Sequence, residues 1–266
     1  MTTLSFVEQF ADNLHIVWTF LLLVMRYSGF MFVIPGIGEG IRGLTVRYPA
    51  ILVFAFASMR PSAYAEIPPD GVVLAAMMAC EFLFGMVLGA IPLFIVAGVQ
   101  MAGQLASTSM GLGAGQLFDP SIGGMQSDLG RLLGDLTIVF FLLLGGHHVV
   151  VMAASGLGGQ IIAGSFIPTE FTAELLINRT SQIFRMAVMI SAPVIVALLL
   201  TQFVMGLISK AVPSVNIFIV SFPLTIAIGL LLTIVSLPEV ITFVRREFTG
   251  IETSVLAVTE EAKFSQ

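Results

Sequence analysis

Five side chains in this 266-residue chain are of types that could carry chemistry: the adjacent histidines His147 and His148, and three charges set inside apolar runs, Arg26, Glu81 and Arg185. A histidine pair raises a metal centre or a proton relay, because imidazole binds metals and titrates near neutral pH. Neighbouring helical positions point about 100° apart, however, and no acid or cysteine stands at ligand spacing, so the pair is read as structural or as a loop edge. A charge at the centre of a membrane helix costs at least ~2.5 kcal/mol on insertion scales, so such residues pair or line a path. A small secondary transporter would place them around a solute, beside proline- and glycine-broken helices. An intramembrane enzyme would need a nucleophile, an acid or metal ligands at a recognisable spacing, and none is found. The single cysteine, Cys80, rules out an internal disulfide and a multi-cysteine metal site. With no nucleotide-binding loop either, no catalytic residue, metal or cofactor is expected.

The elements that must position these residues are membrane helices. The chain is 57% hydrophobic and 10% charged, with a mean hydropathy of +1.03, against roughly 25% charged residues in ordinary soluble proteins. This predicts an all-α integral membrane protein. Glu8 and Asp12 precede the first apolar run and Arg26 lies inside it, which argues against a cleaved signal peptide. The net charge of −5 comes partly from Glu247, Glu252, Glu260 and Glu261, which predicts a solvated tail and argues against nucleic acid.

Residues 14–34 are long enough to span. The run 48–59 is not: about 12 residues reach ~18 Å, short of the ~30 Å hydrocarbon core, so it reads as half of a hairpin packed in protein. The run 71–99 is longer than one crossing, contains a GxxxG pair at Gly85 and Gly89 that admits another helix closely, and is expected to kink at Pro92. Asp128, Arg131 and Asp135 stand at helical spacing, so Arg131 is expected to pair with one of the acids at a helix start. Residues 132–154 form another predicted span, 156–179 a connector, and 182–208 with 215–244 a hairpin whose arms bend at Pro193 and Pro223. With six crossings, the positive-inside rule sets Arg42, Arg47, Arg131 and Lys210 against Arg60, Arg179, Arg185, Arg245, Arg246 and Lys263, and leaves orientation open.

One stretch fits neither lipid nor bulk water. Residues 100–120, QMAGQLASTSMGLGAGQLFDP, are polar, glycine-rich and carry one charge, Asp119. Gln100, Gln104, Ser107 and Gly111 share a face if the segment begins as a helix, and the glycines from Met110 onward predict a change to irregular loop. Such backbone is tolerated at membrane depth only where protein covers it or it lines a water-filled path. Either the loop closes a protein-conducting pore, or its glycines merely turn the chain between helices.

Three features in order carry a resemblance: the long apolar helix leading into Met110, Gly111, Leu112, Gly113, Ala114, Gly115, Gln116, Leu117, Phe118, Asp119 and Pro120; the span ending in Gly145, Gly146 and His147; and the hairpin with Lys210, Ala211, Val212, Pro213, Asn216, Phe218, Phe222 and Pro223. Up to about Val244 the sequence resembles the FliR family of flagellar biosynthesis proteins and its injectisome counterparts in type III secretion. The resemblance implies a subunit of a heteromeric export gate in the bacterial inner membrane, at the flagellar basal body, built with FliP-like and FliQ-like subunits, contacting an FlhB-like protein and passing unfolded export substrates. It implies FliP-like hairpins over 1–181, a FliQ-like hairpin over 182–244 and a polar tail over 245–266. It further implies a channel plug at Ser107, Thr108, Ser109, Met110, Gly111, Leu112, Gly113, Gly115, Gln116, Phe118, Asp119 and Pro120. Subunit contacts are expected at Arg26, Glu81, Gly85 and Gly89, at Arg131 and Arg185, and at Lys210, Asn216 and Pro223.

Overall fold

Leucine, valine, isoleucine and phenylalanine in long uninterrupted runs favour helix wherever backbone polar groups must be satisfied within the segment. The computed structural model, which describes residues 3–37, 41–59, 64–112, 128–156, 161–212 and 217–264, is helical, with no strand among those residues. The helices are α1 Thr3–Val33, α2 Ile41–Ala57, α3 Gly71–Met110, α4 Asp128–Leu143, α5 Gly146–Ser155, α6 Glu170–Ala211, α7 Ile217–Thr249 and α8 Ile251–Phe264. Four are long and apolar enough to cross a membrane, or up to five if the bent pair α4 and α5 is one span. The chain is an all-α membrane protein.

It divides into two compact units, one of Met1–Leu93, Phe141–Asn178 and Thr249–Gln266, the other of Phe94–Phe140 and Arg179–Phe248. The division in α3 falls between Leu93 and Phe94, just after Pro92, and the helix is continuous through that proline. The expected domain limits at 181/182 and 244/245 lie inside α6 and α7, both continuous there.

In the first unit α1 packs between α2 and α3. The short run does pair with α1, as a hairpin of 48–59 requires: Ile51 and Ala55 are buried, Tyr27 stacks on Phe54 with ring centres 5.7 Å apart, and its hydroxyl meets Ser58 Oγ at 2.6 Å. Its outer face, with Tyr48, Leu52, Val53 and Phe56, is exposed apolar surface. On the other side, α1 occupies the groove made by the GxxxG pair. A Cβ on Gly85 would fall on the Arg26 carbonyl, and one on Gly89 would come within 2.9 Å of the Phe30 carbonyl oxygen.

Three boundaries differ from expectation. The predicted span 132–154 is broken, because Gly145 takes a left-handed conformation (φ 72°, ψ 15°) and turns the chain by 65° between α4 and α5. The predicted connector 156–179 ends early, since α6 begins at Glu170, one residue after Thr169, whose hydroxyl accepts the Thr172 amide. Where a solvated tail was expected, α8 is a helix with Ile251, Ser254, Val255 and Val258 buried and Glu252 and Thr253 exposed, packed against α5.

The second unit assembles the end of α3 with parts of α4, α6 and α7. Gly103 and Gly130 bring α3 and α4 so close that a Cβ on Gly103 would lie 2.7 Å from the Gly130 Cα. Ala106, Met110, Leu129, Val194 and Leu198 form the core there, with Ile228 and Leu232 packed against it. Only 11% of the most apolar window of α7 is buried, against 61% for α3, so the last hairpin presents apolar surface outward while α3 is a core helix.

Candidate functional site

The second unit contains the root of the glycine-rich stretch. α3 stays helical to Met110 and stops there because Gly111 adopts φ 85°, the left-handed conformation that glycine adopts freely. The helix ends where the sequence predicts; the loop expected beyond it lies outside the described residues from Gly113 onward. Thr108 and Ser109 turn their hydroxyls back onto their own helix: Thr108 Oγ1 donates to the Gln104 carbonyl at 2.7 Å, and Ser109 Oγ to that of Leu105 at 2.8 Å. Ser107 and Met110 are each 1% exposed, whereas Leu112 is 42% exposed, so the apolar bulk on either side of Gly111 faces opposite environments. Gly113, Gly115, Gln116, Phe118, Asp119 and Pro120 lie outside the described residues, as does Asn216.

The last four carbonyls of a helix lack partners within it. At this helix end the last hairpin supplies donors that sequence reasoning did not single out. Thr225 Oγ1 donates to the Met110 carbonyl at 3.2 Å, and Gln202 Nε2 to that of Ser109 at 3.5 Å. Gly229 opens a notch for the Met110 side chain, and the Phe222 ring sits over Gly111. Phe222, Thr225 and Gly229 recur at i, i+3 and i+7, so one stripe of α7 holds the root. A hydroxyl and a glycine on one face of an apolar span are the signal that could have marked it.

The first unit holds two of the three charges set inside apolar runs, Arg26 and Glu81. Arg26 and Glu81, both with no exposed side-chain surface, form a two-point ion pair, Nε to Oε2 at 2.5 Å and Nη2 to Oε1 at 3.0 Å. The remaining capacity goes to backbone. Arg26 Nη1 donates to the Ala154 carbonyl at 3.2 Å, in the last turn of α5, and Nη2 to that of Ile162 at 3.3 Å, while Glu81 Oε1 accepts the Gly164 amide at 2.7 Å. Phe84 lies under the guanidinium, 4.9 Å away, with Phe166 beside it. One pair thus ties α1, α3, the end of α5 and residues 161–164. Arg26 and Glu81, expected as subunit contacts, are enclosed by this chain's own residues, with no side-chain surface exposed. Gly85 and Gly89 are likewise filled by α1 of the same chain.

Arg131, Arg185, Lys210 and Pro223 are exposed, as a contact residue must be. Asp128 does begin α4, but no ion pair joins Arg131 to Asp128 or Asp135, and all three are exposed. The His147 and His148 rings lie 4.0 Å apart, tilted by 40°, at the broken span, and His147 Nδ1 is buried without a hydrogen-bond partner. Among the described residues no three His, Cys, Asp or Glu side chains gather.

An all-α chain with several apolar crossings, a sealed internal ion pair and a polar glycine-rich segment rooted in a helix core is a membrane protein whose polar chemistry lies in backbone and small side chains. The sequence signature described as bacterial export proteins, family 1, matches residues 17–251, and the chain belongs to that family. It is 28% identical to the flagellar biosynthetic protein FliR of Bacillus subtilis, over 86% of this chain and 90% of that one. The flagellar biosynthetic protein FliR of Aquifex aeolicus is also 28% identical, over 83% and 85%. The Yop proteins translocation protein T of Yersinia pestis is 24% identical over 82% and 85%.

Proposed function

We propose that this chain is a non-enzymatic subunit of a flagellar type III protein export gate, and that residues 107–120 close the channel at rest. Membership of the export family over 17–251 carries the first part, together with near full-length similarity to proteins named for flagellar biosynthesis. The similarity to the Yersinia translocation protein supports an injectisome export gate as the second reading. In either, the chain sits in the bacterial inner membrane, the flagellar form at the basal body, with FliP-like, FliQ-like and FlhB-like partners, and unfolded substrates pass along it.

The gating part is supported by the root of the stretch: a neutral, hydroxyl-rich helix end, rigidly seated to Met110, followed at once by a left-handed glycine and an exposed leucine. Glycine-rich backbone can fold aside, and methionine and leucine supply conformable apolar bulk for a seal. A solute transporter is disfavoured because two of the three charges it would use, Arg26 and Glu81, satisfy each other in a closed environment. The test is deletion of 111–116 in the complex coexpressed with FliP-like and FliQ-like subunits. The complex is expected to assemble and to leak ions and small solutes. Valine at Gly111, Gly113 and Gly115 is expected to stop secretion of a flagellar substrate, because β-branched residues disfavour φ > 0. An assembled deletion variant that stays tight to ions would make the stretch a plain connector.

A further inference from the structure

In the second unit a small cavity lies where α3, α4, α6 and α7 meet. Its walls are apolar, with Ala106, Leu133 and Val194 among them, apart from three hydroxyls: Ser191 on α6, and Thr233 and Ser236 on α7. Each hydroxyl donates its one proton to a carbonyl of its own helix. Ser191 Oγ donates to that of Ala187 at 2.7 Å, Thr233 Oγ1 to that of Gly229 at 2.8 Å and Ser236 Oγ to that of Thr233 at 3.1 Å. A hydroxyl oxygen has two lone pairs besides its proton, and among the described residues no donor reaches any of these three oxygens. Ser191 is 2% exposed, so bulk solvent does not satisfy it. The cavity thus offers hydrogen-bond acceptors only. What fits it is a small donor, and its volume of about 10 Å³ is the room that one water requires.

We propose that this cavity is a binding site for one water molecule, which donates to Ser191 Oγ and to a hydroxyl oxygen of α7 and so bridges the two arms of the last hairpin. A void lined only by carbon stays dry, whereas lone pairs facing one another between apolar walls favour a shared donor. Gln182 Nε2 already donates to Glu247 Oε2 at 2.8 Å between the same two helices. The water adds a second polar tie about 13 Å further along α6, at ~1.5 Å per residue, where the walls are otherwise apolar.

The direct test is cryo-electron microscopy of the purified protein, with whatever subunits copurify, at a resolution that shows ordered water. Density is expected within hydrogen-bond distance of Ser191 Oγ and of Thr233 Oγ1 or Ser236 Oγ. An empty cavity overturns the proposal whatever the variants do. Val194→Ile adds a methylene to the wall. In a dry cavity it fills a void and raises the melting temperature; with water bound it expels the ligand and leaves the acceptors bare, so the melting temperature is expected to fall. A rise overturns the proposal. Ser191→Ala is expected to speed amide exchange at 229–236 of α7 about fivefold, the shift one lost hydrogen bond gives. A hydroxyl bonded only within α6 leaves exchange in α7 unchanged when it is removed, and that result overturns the bridge. Should either variant fail to assemble, the density in the parent decides.

Discussion

Arg26 and Glu81, 55 positions apart in the chain, are each other's only charged partner among the described residues of the first unit. Their mutual attraction offsets the desolvation of two ions, which is why the result of breaking the pair differs from the result of replacing it.

Glu81→Gln is expected to destabilise the chain by about 3–5 kcal/mol, because an unpaired guanidinium then stays buried. The apolar double variant Arg26→Met with Glu81→Leu removes both charges but takes the arginine from the Ala154 carbonyl and the carboxylate from the Gly164 amide, while the Ile162 carbonyl keeps the Ser165 hydroxyl and amide. It is expected to recover only part of the loss, at ~1–3 kcal/mol for each unsatisfied buried group. Heat unfolding of the purified complex measures both; a Glu81→Gln variant as stable as the parent would refute the role of the pair.

Gly85→Ala is expected to abolish accumulation of the folded chain, since its methyl would have to occupy the place of the Arg26 carbonyl in α1, backbone that cannot rotate away. Gly206 offers the contrast, for nothing lies within 4 Å of a Cβ built there. Gly206→Ala, in the C-terminal part of α6, is expected to be neutral or to stabilise by about 0.5–1 kcal/mol. Equal losses from the two substitutions in expression and melting would remove the close approach as the cause.

At the break between α4 and α5, Gly145→Val is expected to cost about 1–2 kcal/mol, the penalty of an L side chain in the left-handed region. Protease accessibility at 143–147 reads the change. A variant cut no faster than the parent would show that the break does not depend on glycine.

Much of this architecture was legible because some residues act locally. The end of α3 follows from glycine at 111, and the α1–α2 hairpin from a run too short to span alone. The break at Gly145 was hidden because glycine within an apolar run also occurs in unbroken membrane helices, so only its φ distinguishes the two. The pairing of Arg26 with Glu81 was not legible, since neither charge specifies which of several others it meets. In the last segment, attention to the charges Glu252, Glu260 and Glu261 masked Ile251, Val255 and Val258, which recur at i, i+4 and i+7 and bury the inner face of α8. The hold on Met110 was missed for a similar reason: Thr225 and Gly229 lie in a helix that reads as uniformly apolar.

The inner face of α8 yields a fourth expectation. Ile251, Val255 and Val258 are each 2% exposed, and burying such a side chain is worth ~1.5–3 kcal/mol in water. Val255→Asp is expected to detach α8 from α5 and to shorten the lifetime of the protein in cells, whereas Glu252→Gln on the outer face is not. Pulse-chase decay rates check both, and an unchanged half-life for Val255→Asp would mean that α8 contributes nothing to retention of the fold.

The first unit draws on Met1–Leu93, Phe141–Asn178 and Thr249–Gln266, so α1, α2 and α8 belong to one body although they are made far apart in time. Helices α1 to α3 are synthesised with Arg26 and Glu81 present but without residues 154–164 that complete the shell around them, and α5 waits for α8. A nascent chain therefore carries an unfinished polar centre in the bilayer until residues 154–164 have followed, and α5 is seated only when α8 packs on it, a state that favours chaperoned insertion.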